Sequence, residues 1–489
     1  MTHRLSKSRF QTGLQCHKAL WLSVNARDLA DPLTESQAHI FDTGNAVGEL
    51  ARTRFEGGVL VEEDHTQSEA ALVRTEDLLA DPPPALFEAA FRHENVFVRP
   101  DALVNVGDGE WDLYEVKSST RVKQEHITDV AVQTWVLEGA GLRIRRAYLM
   151  HLDNTYVYPG GEYDPARLFA ADDVTDDVRA WMHEVPRRVA DLLAMLGEPS
   201  PAVRIGKHCT APYRCAFHGH CHAFLPEKPV TALPRISASL LDSLLTNDIL
   251  SIGEVPLDHP GLTRAQRTVV DVVRSGVPHM AGDPSDSLAS LTYPVHFLDF
   301  ETLMSALPLW PGTRTWQQVP FQWSDHVLHA DGRLDHHEFL HEGTEDPRAE
   351  FTRTLLETLG QHGSIVVYSG FESTRLGELA TALPEHARAI SSVRERIFDL
   401  MKVVEAHVRH PDTLGSCSIK AVLPALVPEL TYEGLEISEG ATASLRYLKA
   451  VTGQLDEDEA RTVYSALREY CGMDTLAMVR LCEVLRGAG

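Results

Sequence analysis

A chain of 489 residues is too long for one ordinary core, so about two or three domains are expected. Hydrophobic residues make up 43% and charged residues 24%, a globular balance, and no apolar run is long enough to predict a membrane span. A formal net charge of -25 excludes a general basic coat for nucleic acid but leaves room for a local basic groove.

The opening "MTHRLSKSRF" lacks the apolar segment of a secretory signal, and a cytoplasmic protein is expected. Seven cysteines, unevenly spaced, point to metal ligands or buried thiols rather than disulfides. Helical spacing appears over 7–24 and 36–55, then a loop and short helix over 82–91. Strands follow near 95–105 and 111–118, a helix near 124–138 and a strand near 143–150. The stretch "DDVTDDVRAWMHEVPRRVADLLAML" is again helical. The order α-α-β-β-α-β predicts an α/β domain over 1–225, a small mixed sheet with helices packed on it.

The strand-like "DLYEVKSST" places Glu115 and Lys117 two apart and hence on one face. Asp101 waits upstream in "VFVRPDALV". Two carboxylates suffice for a magnesium ion that keeps several waters, and Val116 offers a backbone carbonyl to the same ion. Lys117 then positions the attacking water and offsets charge at phosphorus. Asp129 and Gln133 lie four apart on one face of the following helix.

Through "PDALV", "YEVKSST" and the helix around Gln133, the first segment resembles RecB-like nucleases of the PD-(D/E)XK superfamily. The resemblance implies a restriction-endonuclease fold and metal-dependent cleavage of DNA. It also implies an acid from an earlier helix, and "GNAVGELAR" puts Glu49 in that place.

Cys16 in "GLQCHKALWL" is joined by Cys209, Cys215 and Cys221 in "KHCTAPYRCAFHGHCHAF". Four thiolates can complete a [4Fe-4S] cluster or a structural zinc site. The crowd of His208, His218, His220 and His222 keeps zinc as the alternative. One early ligand with three clustered late ones is similar to the iron–sulfur RecB-type nucleases, including CRISPR-associated adaptation nucleases. That resemblance implies a [4Fe-4S] cluster tying the start of the domain to its end. Cys417, Cys471 and Cys482 read as core thiols.

The stretch 226–285 is punctuated by proline and helical in short bursts. "ISASLLDSLLTNDILSIGEVP" and "LTRAQRTVVDVVRSG" look like a helix–hairpin–helix module or a plain helical linker. From 286 to 489, strands are predicted at 294–300, 320–326, 336–340 and 364–368, with helices afterwards. "VHFLDFETL" ends an apolar strand in Asp299 and Glu301, two acids on one side, as a strand facing a metal ion does. Glu372 follows another apolar strand, Asp399 sits in "RIFDLMKVV", and Tyr470 and Asp474 lie four apart on a helix.

This half resembles DEDD exonucleases of the RNase H-like fold, in their tyrosine variety. It looks still more like an uncharacterised bacterial domain that follows RecB-like nuclease domains, sharing "GSCSIKAVLPAL". The resemblance implies that Asp299, Glu301 and Asp474 hold two ions and that Tyr470 orients the attacking water. Glu372 or Asp399 supplies the fourth acid, Asp399 being equally well placed as a helix cap. Lys420 faces the phosphate or only the surface. The expected protein is a Mg2+- or Mn2+-dependent nuclease with two hydrolytic domains, acting on DNA ends or single strands in repair or defence. A DNA-binding scaffold with silent sites and an RNA-processing exonuclease are the alternatives.

Overall fold

Strand Ala102–Gly107 turns through Asp108 and Gly109 into strand Glu110–Lys117, pairing Ala102 with Tyr114. Both turn residues are left-handed, with φ of 51° and 71°, the conformation a tight hairpin requires. The computed structural model describes residues 3–64 and 66–487, and its fold is mixed α/β. The chain divides into two units, Met1–Phe224 with Ala306–Pro308 and Thr313–Thr315, and Leu225–Ser305 with Leu309–Gly312 and Trp316–Gly489. The helical stretch after residue 225 therefore belongs to the second unit.

In the first unit, helix Gln124–Gly139 carries the chain from Glu110–Lys117 to the parallel strand Arg143–Leu152. The sheet is completed by Phe169–Asp173 on one side and by Ala85–Phe87 and Val59–Leu60 on the other. A smaller sheet joins Leu5–Ser6, Val96–Val98 and Phe91–His93. Strand alternation sets Trp111 and Leu113 into the core on the same face as Glu115 and Lys117. Helix Gln124–Gly139 lies over that face with Val130, Ala131, Val136 and Leu137 buried. Asp129 and Gln133 are thereby held against the acidic strand end.

The loop and short helix expected over 82–91 are instead the strands Ala85–Phe87 and Phe91–His93. Leu86 pairs with Leu103, and Glu88 takes a left-handed φ of 53° that breaks any helix there. Alanine- and glutamate-rich propensity yields to tertiary pairing. Strand Phe169–Asp173, which the sequence reading passed over, closes the sheet edge beside Arg143–Leu152.

The second unit begins with helices Ala238–Thr246 and Arg264–Ser275, whose leucines and valines form a small core of their own. A five-stranded sheet follows, in the order Leu334–Leu340, Gln318–Leu328, Val295–Met304, Ser364–Val367 and Ile397–Asp399. The first three strands run antiparallel and the last two join in parallel. Ile397–Asp399 is too short for its period to show in the sequence. Helices Gly440–Val451 and Glu457–Gly487 pack on this sheet, the long one burying Tyr470, Cys471, Asp474 and Thr475. Among the described residues no helix is long and apolar enough to cross a membrane.

Behind the sheet, His296 Nδ1 lies 2.7 Å from Asp325 Oδ2, and Asp325 is fully buried with Oδ1 unpartnered. His296→Leu would leave that carboxyl without its hydrogen bond. A loss of about 1–3 kcal/mol in the unfolding free energy of the second unit is expected, read by urea denaturation.

Candidate metal centres

Asp299 and Glu301 leave strand Val295–Met304 on the same side, as residues two apart must. The pairing with Gln318–Leu328 shifts register between Glu301 and Thr302, a bulge just beyond the second acid. Helix Glu457–Gly487 brings Asp474 to meet them. Ligand oxygens of the three acids lie within 4.8 Å of one another, the only such set of three or more among the described residues. Burial first, then the charges of the neighbouring acids, push the Asp299 and Glu301 carboxyls well above their ordinary range. Burial also raises Asp474 to about 6, against the pull of Tyr432, whose hydroxyl donates to Asp474 Oδ1 at 2.5 Å.

Glu372 opens helix Phe371–Ala382, buried, with Oε2 lacking a partner. Its carboxyl is raised to about 7 by burial, with Asp399 and Asp474 adding repulsion. Asp399 stands at the cap position of helix Leu400–His407, yet its side chain makes no capping bond. It pairs loosely with Lys402 at 3.7 Å, and its Oδ1 is buried without a partner. Glu372 is thus the one that interacts with Asp299 and Glu301, and Asp399 interacts with Glu372. Cys471, read from sequence as a core thiol, lies with Sγ 3.6 Å from Asp299 Oδ2. Its neighbour Tyr470 is buried, with its hydroxyl 3.0 Å from Lys420 Nζ.

The first unit solves its charge problem differently. Asp101 Oδ2 accepts from the Val116 backbone N–H at 2.6 Å. Glu115 Oε1 accepts from Lys117 Nζ at 2.6 Å and from Lys7 Nζ at 2.8 Å, while Oε2 accepts from Gln133 Nε2 at 2.8 Å. Lys117 also reaches Asp129 Oδ2 at 2.7 Å. Burial opposes charge on Glu115, but the two ammonium groups outweigh it and hold its carboxyl below the ordinary range. Asp101 has no ammonium in hydrogen-bond contact; burial and the Glu115 charge raise it to about 7.

The structure therefore brings Asp101, Glu115, Lys117 and Gln133 together. Glu49 is exposed on helix Glu35–Arg52 and makes no hydrogen bond or ion pair with that set. Two members escaped the sequence reading. Lys7 comes from the N-terminal helix more than a hundred residues away, a distance no local spacing reveals. Glu88, left-handed and mostly buried, interacts with both Asp101 and Glu115, and the irregular backbone at 85–93 hid it. A cavity opening on Asp101 is walled by Lys7, Arg4, Arg9, Arg92 and Arg99.

Cys16, Cys209, Cys215 and Cys221 line a single small cavity together with His208 and His218. Three backbone amides donate to the sulfurs: Ala19 to Cys16, Gly206 to Cys209 and Phe217 to Cys215, each at 3.4 Å. Burial raises the Cys209, Cys215 and Cys221 thiols, and the neighbouring sulfurs raise them further. No three of these sulfurs approach within 4.8 Å of one another. A tetrahedral zinc ion with bonds of about 2.3 Å would draw its thiolates to about 3.8 Å. The His218 and His222 rings stack on each other at 3.7 Å, and Arg214 reaches His218 Nδ1.

A family model described as a domain of unknown function, DUF2779, matches residues 296–418, which hold Asp299, Glu301, Glu372 and Asp399 but not Tyr470 or Asp474. The uncharacterised MG366 homologue of Mycoplasma pneumoniae is 24% identical over 205 residues, 38% of this chain and 31% of that protein. The matched part spans about a third of that relative's length. Among solved structures, an alkaline exonuclease from Laribacter hongkongensis aligns at 12% identity over 40% of this chain and 90% of its own, with a TM-score of 0.24. The protein SSO0001 aligns at 12% identity over 46% of this chain and 89% of its own, with a TM-score of 0.25.

A carboxyl whose folded pKa exceeds its unfolded value stabilises the chain while it stays protonated, and loses that contribution as pH rises through the folded value. With Glu372 near 7 and Asp474 near 6, the metal-free second unit should lose stability between the ordinary carboxylate range, about 4, and about pH 7. A divalent cation needs those protons gone. Manganese is therefore expected to raise the melting temperature more at pH 8 than at pH 6, and to do little for Asp299→Ala. Equal stabilisation of wild type and variant in a thermal melt would mean that these acids share no ion.

Proposed function

We propose that the chain is a metal-dependent phosphodiester hydrolase acting on DNA ends or single strands, with one hydrolytic site in each unit. The convergence of Asp299, Glu301 and Asp474 carries this reading. Three carboxylates this close in a dry site repel one another unless a cation lies among them, and an all-oxygen donor set fits Mg2+ or Mn2+. Such an ion, when bound, polarises the scissile phosphate and lowers the pKa of the attacking water. The protein's own part is orientation. Tyr470 sets its hydroxyl beside the acids, and Glu372 stands ready as a fourth carboxylate. In the first unit Asp101 and Glu115 would hold the ion, with Lys117 placed to steady the attacking water and the charge growing on phosphate.

A polyanionic substrate is supported by the cavity next to Asp101. Its lining sets Arg4, Lys7, Arg9, Arg92 and Arg99 against Glu88 and Asp101, and Arg4 and Arg92 share one further carboxylate, Glu69, so positive charge is left over. This is a local basic surface on a chain whose net charge is -25. The four-cysteine cavity suits a [4Fe-4S] cluster better than zinc. Its thiols are spread too widely for one tetrahedral ion, whereas a cubane presents its irons at separate corners.

Protein purified without oxygen is expected to be brown and to carry about four irons per chain by metal analysis. Colourless, folded protein with stoichiometric zinc would defeat the cluster assignment.

Activity is tested on end-labelled single- and double-stranded DNA with manganese, beside matched RNA. Lys117→Ala should remove one component of cleavage and Asp299→Ala the other, each by at least about a hundredfold, while DNA binding persists through its many phosphate contacts. Full cleavage by the double variant would show that neither site is hydrolytic.

A further inference from the structure

The stretch "GSCSIKAVLPAL" carries Lys420, which the hydrolytic reading of the second unit leaves without a task. Lys420 lies in the first turn of helix Ile419–Leu426 and is exposed, yet its ammonium is tied to neighbouring groups. It donates to the Ser438 carbonyl at 2.6 Å and to the Tyr470 hydroxyl at 3.0 Å. The same nitrogen lies over the Tyr470 ring at 5.0 Å and the Tyr432 ring at 5.6 Å. Four contacts from one flexible side chain fix it in place.

An ammonium group can only donate hydrogen bonds, whereas a phenol has one O–H to donate and lone pairs to accept. With Lys420 on a lone pair of Tyr470, the phenolic proton cannot point at the lysine. It is left to turn toward the acids, where Tyr470 helps to ease the charge of Asp474. Tyr432 already donates to Oδ1 of that carboxylate, so the two tyrosines address Asp474 side by side.

We propose that Lys420 is a positioning residue that acts through Tyr470, fixing the direction of its hydroxyl proton toward the place of the attacking water. This rests on the hydrolytic reading of the second unit. A lysine that simply met the substrate phosphate would not need to be tied to a carbonyl and a phenol. Its charge also favours ionised Glu301 and Asp474, and its hydrogen bond decides the geometry of Tyr470.

The test uses the full chain with Lys117→Ala in place and counts only cleavage that Asp299→Ala abolishes. Lys420→Met should lower kcat by about tenfold and leave KM within about twofold, because orientation is felt in the transition state more than in binding. In a Tyr470→Phe background the same change should cost nothing further, and Lys420→Arg should restore most of the rate. Manganese-dependent thermal stabilisation should persist in Lys420→Met, which separates lost orientation from a collapsed site. Equal losses with and without the Tyr470 hydroxyl, or a loss that appears in KM, would overturn the proposal and make Lys420 a phosphate contact. If no Asp299-dependent cleavage exists at all, the hydrolytic reading of this unit falls and the inference falls with it. Cleavage that persists without coupling to Tyr470 sinks the inference alone.

Discussion

Like charges crowded into a dry place constrain the second unit more than any other feature. Glu301 and Asp474 are buried and Asp299 partly so; Asp474 raises the cost of ionising both of the others, and Glu301 that of Asp299. A core that placed acids this way with nothing to bind would give up stability for no return. The sheet and the long helix are arranged to produce this collision. Strand spacing supplies two acids, the bulge after Glu301 ends the regular pairing there, and the helix supplies the third. Around them Tyr432, Tyr470, Cys471 and Lys420 fill the remaining space with groups that can donate hydrogen bonds.

The first unit meets the same constraint with cations from its own chain. Lys7 and Lys117 converge on one oxygen of Glu115, and Gln133 donates to the other, so both oxygens have partners. Asp101, with one backbone donor, and Glu88, beside Arg99, are less fully compensated. Charge at this site is balanced between acids and lysines, whereas in the second unit the acids predominate. The two sites thus place different demands on an incoming ion. An ion at the first would compete with ammonium groups for Glu115; one at the second would relieve repulsion.

The cysteine cavity adds a third kind of constraint. Cys16 and the segment 209–221 stand almost two hundred residues apart in the chain, and a shared cluster would close that loop. Backbone amides already point at three of the sulfurs, the hydrogen bonds that steady thiolate charge wherever iron or zinc is held.

Much of this was legible in the residues themselves, wherever the signal was local. Period-two spacing put Glu115 with Lys117 and Asp299 with Glu301, and helical spacing put Asp129 with Gln133 and Tyr470 with Asp474. These pairings are properties of one strand or one helix, so the chain needs no partner to display them. Lys7 and the link between Lys420 and Tyr470 had no such signal, since each meets its neighbour across a long stretch of chain, and Glu88 sits at a left-handed break between two strands. The strands at 85–93 were hidden because alanine and glutamate favour a helix until Leu103 and Val98 offer a pairing edge. The sequence by itself determined which acids share a face. Only the tertiary structure decided which faces meet, because burial, and the repulsion or neutralisation it enforces, exists only once distant segments have excluded water between them.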